Sequence, residues 1–348
     1  MTTHAHDALV EISKAATFQA FSNLESLITQ YQTDRTTFEK LVGCDENCLA
    51  FTQTCAVSIS QAALGLELKA GDEILNFAGE YPSNTYPWIE AARRSGASYK
   101  QVEAEEGFRF TEEAIINKID SKTKVVAVSW VQFQNGWLID LKKISEAAHN
   151  VGALLVVDVI QGLGIIPFNM KELGVDVVCG GTHKWLCGPL GLGFLAVSKD
   201  LIQQLKPLCV GSNTFTDYEE LATDLKRKPY TDYRRFEPGS PFFIMARTAA
   251  ASIEQILKAG VENINHETRV LRNLITTTAE TRGFKTLSQQ EGKFLSPTVT
   301  VLPNNLEKSI QQLREKNILF AHRLGGIRLS PHVYNNKDDI DRAMNCLC

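Results

Sequence analysis

Apolar positions change their spacing several times along this chain, and the changes mark out elements. Over residues 8 to 42 they recur at helical spacing, with Leu24, Leu27, Ile28 and Tyr31 on one side and Gly43 as the stop signal. From there to about residue 200, short apolar runs alternate with amphipathic stretches. The runs are Leu49 to Thr52, Glu73 to Phe77, Lys124 to Val131, Ala153 to Val159, Val175 to Cys179 and Gly193 to Val197. KVVAVSWV and ALLVVDVI are apolar and rich in β-branched residues, the pattern of strands covered on both faces. The intervening LIDLKKISEAAHNVG is amphipathic and ends at glycine. This alternation predicts an α/β fold with a mainly parallel sheet.

Regularity lapses over residues 205–240, rich in Pro, Gly, Tyr and charge, which read as an irregular surface segment. A helix is expected at about 242 to 260, and a second βαβα-like unit follows in FLSPTVTVLP, LEKSIQQLREKN, ILFAHRLGGIRLS and KDDIDRAMNCL. Three parts result: a helical segment 1–30 packing on the small domain, a large domain 31–240, and a smaller α+β domain 241–348. Neither an internal repeat nor a low-complexity segment is present.

Composition narrows the function classes. The 348 residues carry 36 Lys+Arg against 40 Asp+Glu, a formal net charge of −4, and 44% are apolar. Core size is not limiting at this length. Neither nucleic acid nor an anionic membrane is expected as a partner, since both need a clustered basic face. The one basic cluster, Lys226-Arg227-Lys228 with Arg234-Arg235, reads as a solvated loop or a minor anion contact. Eight cysteines are too sparse for a disulfide scaffold, and Cys55 and Cys179 lie inside apolar runs, so a reducing cytoplasm is expected. Cys44 and Cys48 have no second pair to complete a zinc site, and no metal is expected. MTTHAHDALVEISK lacks a leader pattern and no run approaches the ~20 apolar residues of a membrane span, so neither secretion nor insertion is expected.

Ligands of open α/β sheets bind at the carboxyl ends of the strands. ALLVVD ends in Asp158, with Gln161 three residues on, and VDVVCGG is followed by Thr182-His183-Lys184-Trp185 and then Gly188-Pro189-Leu190-Gly191-Leu192-Gly193. Lys184 reads either as the partner of Asp158 in a buried ion pair or as a desolvated amine nucleophilic toward carbonyls.

The run VVDVIQGLGIIPFNMKELGVDVVCGGTHKWLCGPLGLGFLAV resembles the central segment of class V aminotransferase-like enzymes. These have fold type I and use pyridoxal 5′-phosphate. Their Asp-x-x-Gln after one strand, the Asp opening the next, and the His-Lys before a Gly-Pro-x-Gly-x-Gly turn are all present. The resemblance extends from about residue 30 to the end. It implies that Lys184 joins the cofactor as a Schiff base, that Asp158 keeps the pyridine nitrogen protonated, and that Gln161 bonds the ring's 3′-oxygen. It places Thr182 and His183 in the cofactor site, His183 beside the phosphate or the lysine. LAFTQTCAVSISQAALGLEL aligns with the phosphate loop, with Thr54, Cys55 and Ala56 in the turn in place of the family's Gly and Thr, so that one hydroxyl contact is either lost or moved to Ser58. In EYPSNTYPW, Tyr81 occupies the position of the ring over the cofactor, where the cysteine desulfurase branch has histidine, and Asn84 is taken to the substrate. An Asn usual at the 3′-oxygen aligns with Phe133, leaving Gln132 or Gln134 as substitutes. Phe236-Glu237-Pro238-Gly239-Ser240 resembles the segment that reaches the neighbouring subunit's phosphate, implying a homodimer with shared sites and Ser240 binding in trans. GGIRLSPHVYN resembles the strand carrying the substrate-carboxylate arginine, Arg328. Only about fifty residues precede the phosphate loop, which implies a short or absent N-terminal arm.

Among reactions of this family, a desulfurase needs a mobile thiol upstream of the arginine, and no cysteine lies between Cys209 and Cys346. The expectation is therefore transamination of an amino acid against a keto acid. A lyase or epimerase, and a binding protein that has lost turnover, are the alternatives.

Overall fold

The computed structural model describes residues 2–18, 24–216 and 228–348. Lys226 and Arg227 of the basic cluster lie outside the described residues. The large sheet has seven strands, β1 (Leu49–Thr52), β2 (Glu73–Phe77), β3 (Ser98–Val102), β4 (Thr123–Ser129), β5 (Leu154–Asp158), β6 (Val177–Gly181) and β7 (Gly193–Val197), in the order β1-β7-β6-β5-β4-β2-β3. The strands from β2 to β6 run parallel, and β7 is antiparallel to both neighbours. Each apolar run read from the sequence is a strand of this sheet. β3 was not expected: SYKQV lies at the sheet edge and buries only Val102, so it needs no apolar run.

Successive side chains of a strand point to opposite faces, and here both are covered. Val126 and Val128 of β4 enter one core with Phe51, Val157 and Phe194, while Val125 and Ala127 enter another with Val156, Val177 and Leu195. The second core is closed by α3 (Cys55–Gly65) and α4 (Tyr86–Ser95), through Ile59, Ala62 and Trp88.

The helical stretch expected over residues 8 to 42 is two helices, α1 (Thr3–Phe18) and α2 (Leu24–Val42); α5 (Glu112–Ile116) and α6 (Leu141–Asn150) come after α4 in chain order. Gly43 ends α2 at φ +70 against Asn169, where a Cβ would stand 2.7 Å from the asparagine side chain. The helix expected near 242 to 260 is α7 (Phe243–Ala259), continued after Gly260 by α8 (Val261–Thr281). α7 falls in the segment assigned from sequence to the small domain, yet Ala246, Ala249 and Ile253 on it belong to the larger core. α1 lies along α7, with Thr2 Oγ1 3.2 Å from Ser252 Oγ.

A separate core, from Ile275 onward, gathers around the four-stranded sheet β10-β11-β9-β8: β8 (Lys285–Thr286), β9 (Val299–Leu302), β10 (Ala321–Arg323) and β11 (Gly326–Leu329). Helices α9 (Leu306–Glu315) and α10 (Lys337–Met344) complete it.

Candidate active site

Ser129, Asp158 and Cys179 stand in register across β4, β5 and β6, near the carboxyl ends of these strands. On the far side, Gly193 is paired with both Gly181 and Thr52, so β7 passes directly beneath the turn that opens α3. A Cβ on Gly193 would lie 2.4 Å from Thr54 C and 2.7 Å from Cys55 N, so glycine is the residue that lets strand and turn approach this closely. Thr54 caps α3, its Oγ1 accepting from Val57 N at 3.2 Å. The amides of Cys55 and Ala56 have no acceptor among the described residues, which is the cradle a helix N-terminus offers an anion.

Asp158 is buried, and both of its donors fall on one oxygen. Ile160 N–H reaches Oδ1 at 2.9 Å and the Cys55 thiol at 3.5 Å, while Oδ2 has no partner among the described residues. Burial raises the Asp158 pKa, against the pull of the Ile160 amide and of Lys184. Lys184 follows β6 and is half-buried, its Nζ 5.7 Å from the centroid of the Tyr81 ring. Burial lowers its pKa, Asp158 opposes this, and Arg328 adds to it. Neighbouring His183 is exposed, its pKa lowered by partial burial and by Lys184. Gln161 is half-buried beside Asp158, with its side chain unbonded among the described residues.

Tyr81 is held by the residue before it. The Glu80 carboxylate is buried and accepts Ser129 N at 2.6 Å, the Ser129 hydroxyl, and Gln132 Nε2 at 3.0 Å. These bonds tie the loop after β2 to the end of β4. The Tyr81 ring meets Phe133 edge-on, centroids 5.2 Å apart. Arg328 on β11 donates from Nη1 to the Phe133 carbonyl, and its Nε is buried without a partner. Burial, with Arg323 beside it, lowers the Arg328 pKa.

Five residues considered for the site are engaged elsewhere. Asn84 is buried beneath α4, its Oδ1 accepting from Trp88 Nε1 at 3.2 Å and its carbonyl from Asn76 Nδ2 at 2.6 Å; it is a structural residue, out of reach of a substrate. The Thr182 hydroxyl has Pro189 O at 2.7 Å and Leu192 O at 3.2 Å, so it closes the Gly188–Gly193 turn and has no proton left for a cofactor. Ser58 is fully buried, 2.8 Å from Thr52 Oγ1, and does not replace a phosphate-loop threonine. Gln132 and Gln134 donate to Glu80 and to Gly79 O, fixing the loop that carries Tyr81. Ser240 is exposed, on a segment anchored by Glu237, whose Oε1 accepts Phe51 N at 2.7 Å and pairs with buried Arg35 at 2.8 Å.

Sequence reasoning missed Glu80 and the side chain of Cys55. The signal for Cys55 was present, a thiol in an apolar run at the first turn of a helix. What was not readable is that α3 aims it at Asp158.

A family profile described as Aminotransferase class-V matches residues 5–343. The chain belongs to the class-V aminotransferase family. An uncharacterized aminotransferase of Bacillus subtilis is 27% identical over 330 residues, which is 93% of this chain and 85% of that one. A probable cysteine desulfurase of Methanothermobacter thermautotrophicus is 27% identical, over 84% of this chain and 76% of its own. Among solved structures, the apo cysteine desulfurase of Thermococcus onnurineus superposes with a TM-score of 0.87 at 22% identity, covering 97% of this chain and 90% of that one. The cystine C-S lyase C-DES gives 0.86 at 20% identity, over 99% and 93%. At these identities the superpositions establish the fold, which is that of fold type I enzymes.

The cofactor of this class-V family member is pyridoxal 5′-phosphate, and the residues present fit it. The free amides of α3 suit a phosphate, the open Oδ2 of buried Asp158 suits a protonated ring nitrogen, and half-buried Lys184 follows the adjacent strand with an amine that would suit an aldehyde. No helix among the described residues is long and apolar enough to cross a membrane.

Proposed function

We propose that this class-V enzyme is an aminotransferase that exchanges the amino group of an amino acid with a keto-acid acceptor, with Lys184 Nζ as the point of covalent attachment for the cofactor. The observation that carries this reading is the placement at the ends of adjacent strands of a half-buried amine, Lys184, and a buried carboxylate, Asp158, one of whose oxygens has no partner among the described residues. When bound, pyridoxal 5′-phosphate supplies a conjugated ring that takes up the electron pair left on a substrate Cα.

The chain's residues then have these tasks. The Cys55 and Ala56 amides and the Thr54 turn hold the phosphate. Asp158 Oδ2 keeps a proton on the ring nitrogen, and the Ile160 amide and Cys55 thiol on Oδ1 orient the carboxylate. Tyr81 covers one face and keeps water off it. Gln161 and His183 border the ring and phosphate. Arg328 binds the α-carboxylate with its planar fork. Lys184, its basicity reduced by burial, is neutral more often near pH 7 than a surface lysine and moves the proton at Cα.

A sulfur-transfer reading has support from the relatives named probable cysteine desulfurase. Against it, β10 and β11 are joined by a tight two-residue turn, Leu324-Gly325, with no thiol, and Cys346 is buried in the small core. A homodimer is supported by the exposed Ser240 and by a cleft where Val57 and Leu208, both 41% exposed, lie open beside it.

The test is spectroscopic. Holoenzyme mixed with single amino acids should convert to the absorption of the amine form of the cofactor and revert on adding a keto acid, and Lys184→Ala should abolish both changes. Release of pyruvate and ammonia from serine or cysteine without that form would make the enzyme a lyase.

A further inference from the structure

Two guanidinium groups of the small domain, rather than one, lie against Phe133 at the border of the site. In the β10–β11 hairpin Ala321 is paired with Arg328 and Arg323 with Gly326. Alternate residues of a strand share a face, so Arg323 and Arg328 are diagonal neighbours on one face of the ribbon. The turn fixes that register: Leu324 and Gly325 are both left-handed, with φ of 51 and 73. Both arginines converge on Phe133. Arg328 donates to its carbonyl, and the Arg323 guanidinium carbon lies 5.6 Å from its ring centroid. Phe133 in turn packs against Tyr81, and Tyr81 faces Lys184 Nζ. The run of groups leading away from the reactive amine is therefore Lys184, Tyr81, Phe133 and the two arginines.

Neither arginine has a counterion among the described residues. The arginine ion pairs among the described residues involve Arg35, Arg93, Arg94, Arg109, Arg234 and Arg247. Nε of Arg323 and Nε of Arg328 are both buried without a hydrogen-bond partner. Two neighbouring cations, partly desolvated and unneutralised, are unfavourable until an anion arrives. An α-carboxylate answers only one of them. A substrate with an uncharged side chain would leave the other without a partner in a smaller volume of water.

We propose that Arg323 anchors a second anionic group, so that the enzyme takes amino acids with an acidic side chain, the α-carboxylate on Arg328 and the side-chain carboxylate on Arg323. The assignment rests on the aminotransferase reading for the amino end of the substrate, but the anion pair itself does not. A dicarboxylic keto acid fits the same two anchors, so one site serves both half-reactions.

The experiment separates these levels by using a dianion that cannot react. Holoenzyme is titrated calorimetrically with maleate and with crotonate, its monocarboxylate counterpart, in the wild type, Arg323→Gln and Arg323→Lys. Wild type should bind maleate at least about tenfold more tightly than crotonate, as expected for one added charge-assisted contact. That ratio should fall toward one in Arg323→Gln and lie between in Arg323→Lys, which keeps the charge and loses the fork. In the amino-acid assay, the kcat/KM ratios of aspartate over asparagine and glutamate over glutamine should collapse in Arg323→Gln in the same way. Equal binding of maleate and crotonate by the wild type, or an Arg323→Gln enzyme that keeps the ratio, overturns the proposal. A normal maleate ratio in an enzyme whose cofactor no amino acid converts would uphold the dianion site and refute transamination.

Discussion

Replacing Gly193 by alanine tests whether the start of α3 is the phosphate cradle. The added methyl would stand 2.4 Å from Thr54 C and 2.7 Å from Cys55 N, where ordinary contact begins at 3.4 Å, so the backbone of the turn must retreat by about 1 Å. It cannot swing away freely. Thr52 is paired with Gly193 in the sheet, and its hydroxyl is 2.8 Å from Ser58 Oγ in the second turn of the helix. The strain should cost about 1–3 kcal/mol of stability, as overpacking does. A hydrogen bond of normal length stretched by ~1 Å is lost, and an N–H bond to a charged acceptor is worth about 1.5–3 kcal/mol. Cofactor affinity should therefore fall by about 10- to 100-fold. Apoenzyme titrated with pyridoxal 5′-phosphate and followed by absorbance gives the dissociation constant, and a melt of the apo form gives the strain separately. Gly191→Ala is the control: at φ +86 with nothing within 4 Å of a Cβ, it strains the backbone without touching the turn, and it should melt lower yet keep its affinity. A Gly193→Ala protein that melts lower but binds the cofactor as the wild type does would refute the assignment of the cradle.

Asp34 on α2 gives a pH signature of stability, since burial, outweighing Arg247, pushes its carboxyl up to about 6. Between about pH 4 and 6 the folded state holds a proton that the unfolded state releases. Stability therefore falls as pH rises through that window, by at most about 1.4 kcal/mol per pH unit from this group. Asp34→Asn should flatten that slope in urea unfolding series across the window, and parallel curves for the two proteins would contradict it. Alkylation of the native protein should label exposed Cys209 first and leave Cys55 and Cys179 until unfolding, because both are buried and burial raises their thiol pKa values well above the usual range. Mass mapping of the adducts reads the order, and early modification of Cys55 would show that its thiol does not sit against Asp158.

Much of this protein is written locally. The strands of the large sheet below its edge are continuous apolar runs, because a strand buried on both faces has no polar side to interrupt it. Asp158, Lys184 and the glycines before β7 are legible for a related reason: charge at the end of an apolar strand and glycine in tight turns are both exceptional, and they keep fixed spacings along the chain. β3 escaped, since an edge strand with three of its five residues exposed has no such pattern. Asn84 and Thr182 carry the right polar groups at plausible positions, yet Trp88 and the Pro189 and Leu192 carbonyls have claimed them. A sequence names donors and acceptors but does not say which will be satisfied first, because partners come from segments far away in the chain. The Cys55 thiol meets Asp158 103 residues on, and Arg328 meets Phe133 across 195. The sequence by itself determined the strands of the large sheet other than β3, the turn glycines and the pair of charges at the strand ends, each of which depends on near neighbours. Which oxygen of Asp158 stays open, and that Arg323 stands beside Arg328 with no counterion among the described residues, were decided only when the sheet, the helix and the hairpin closed on one another.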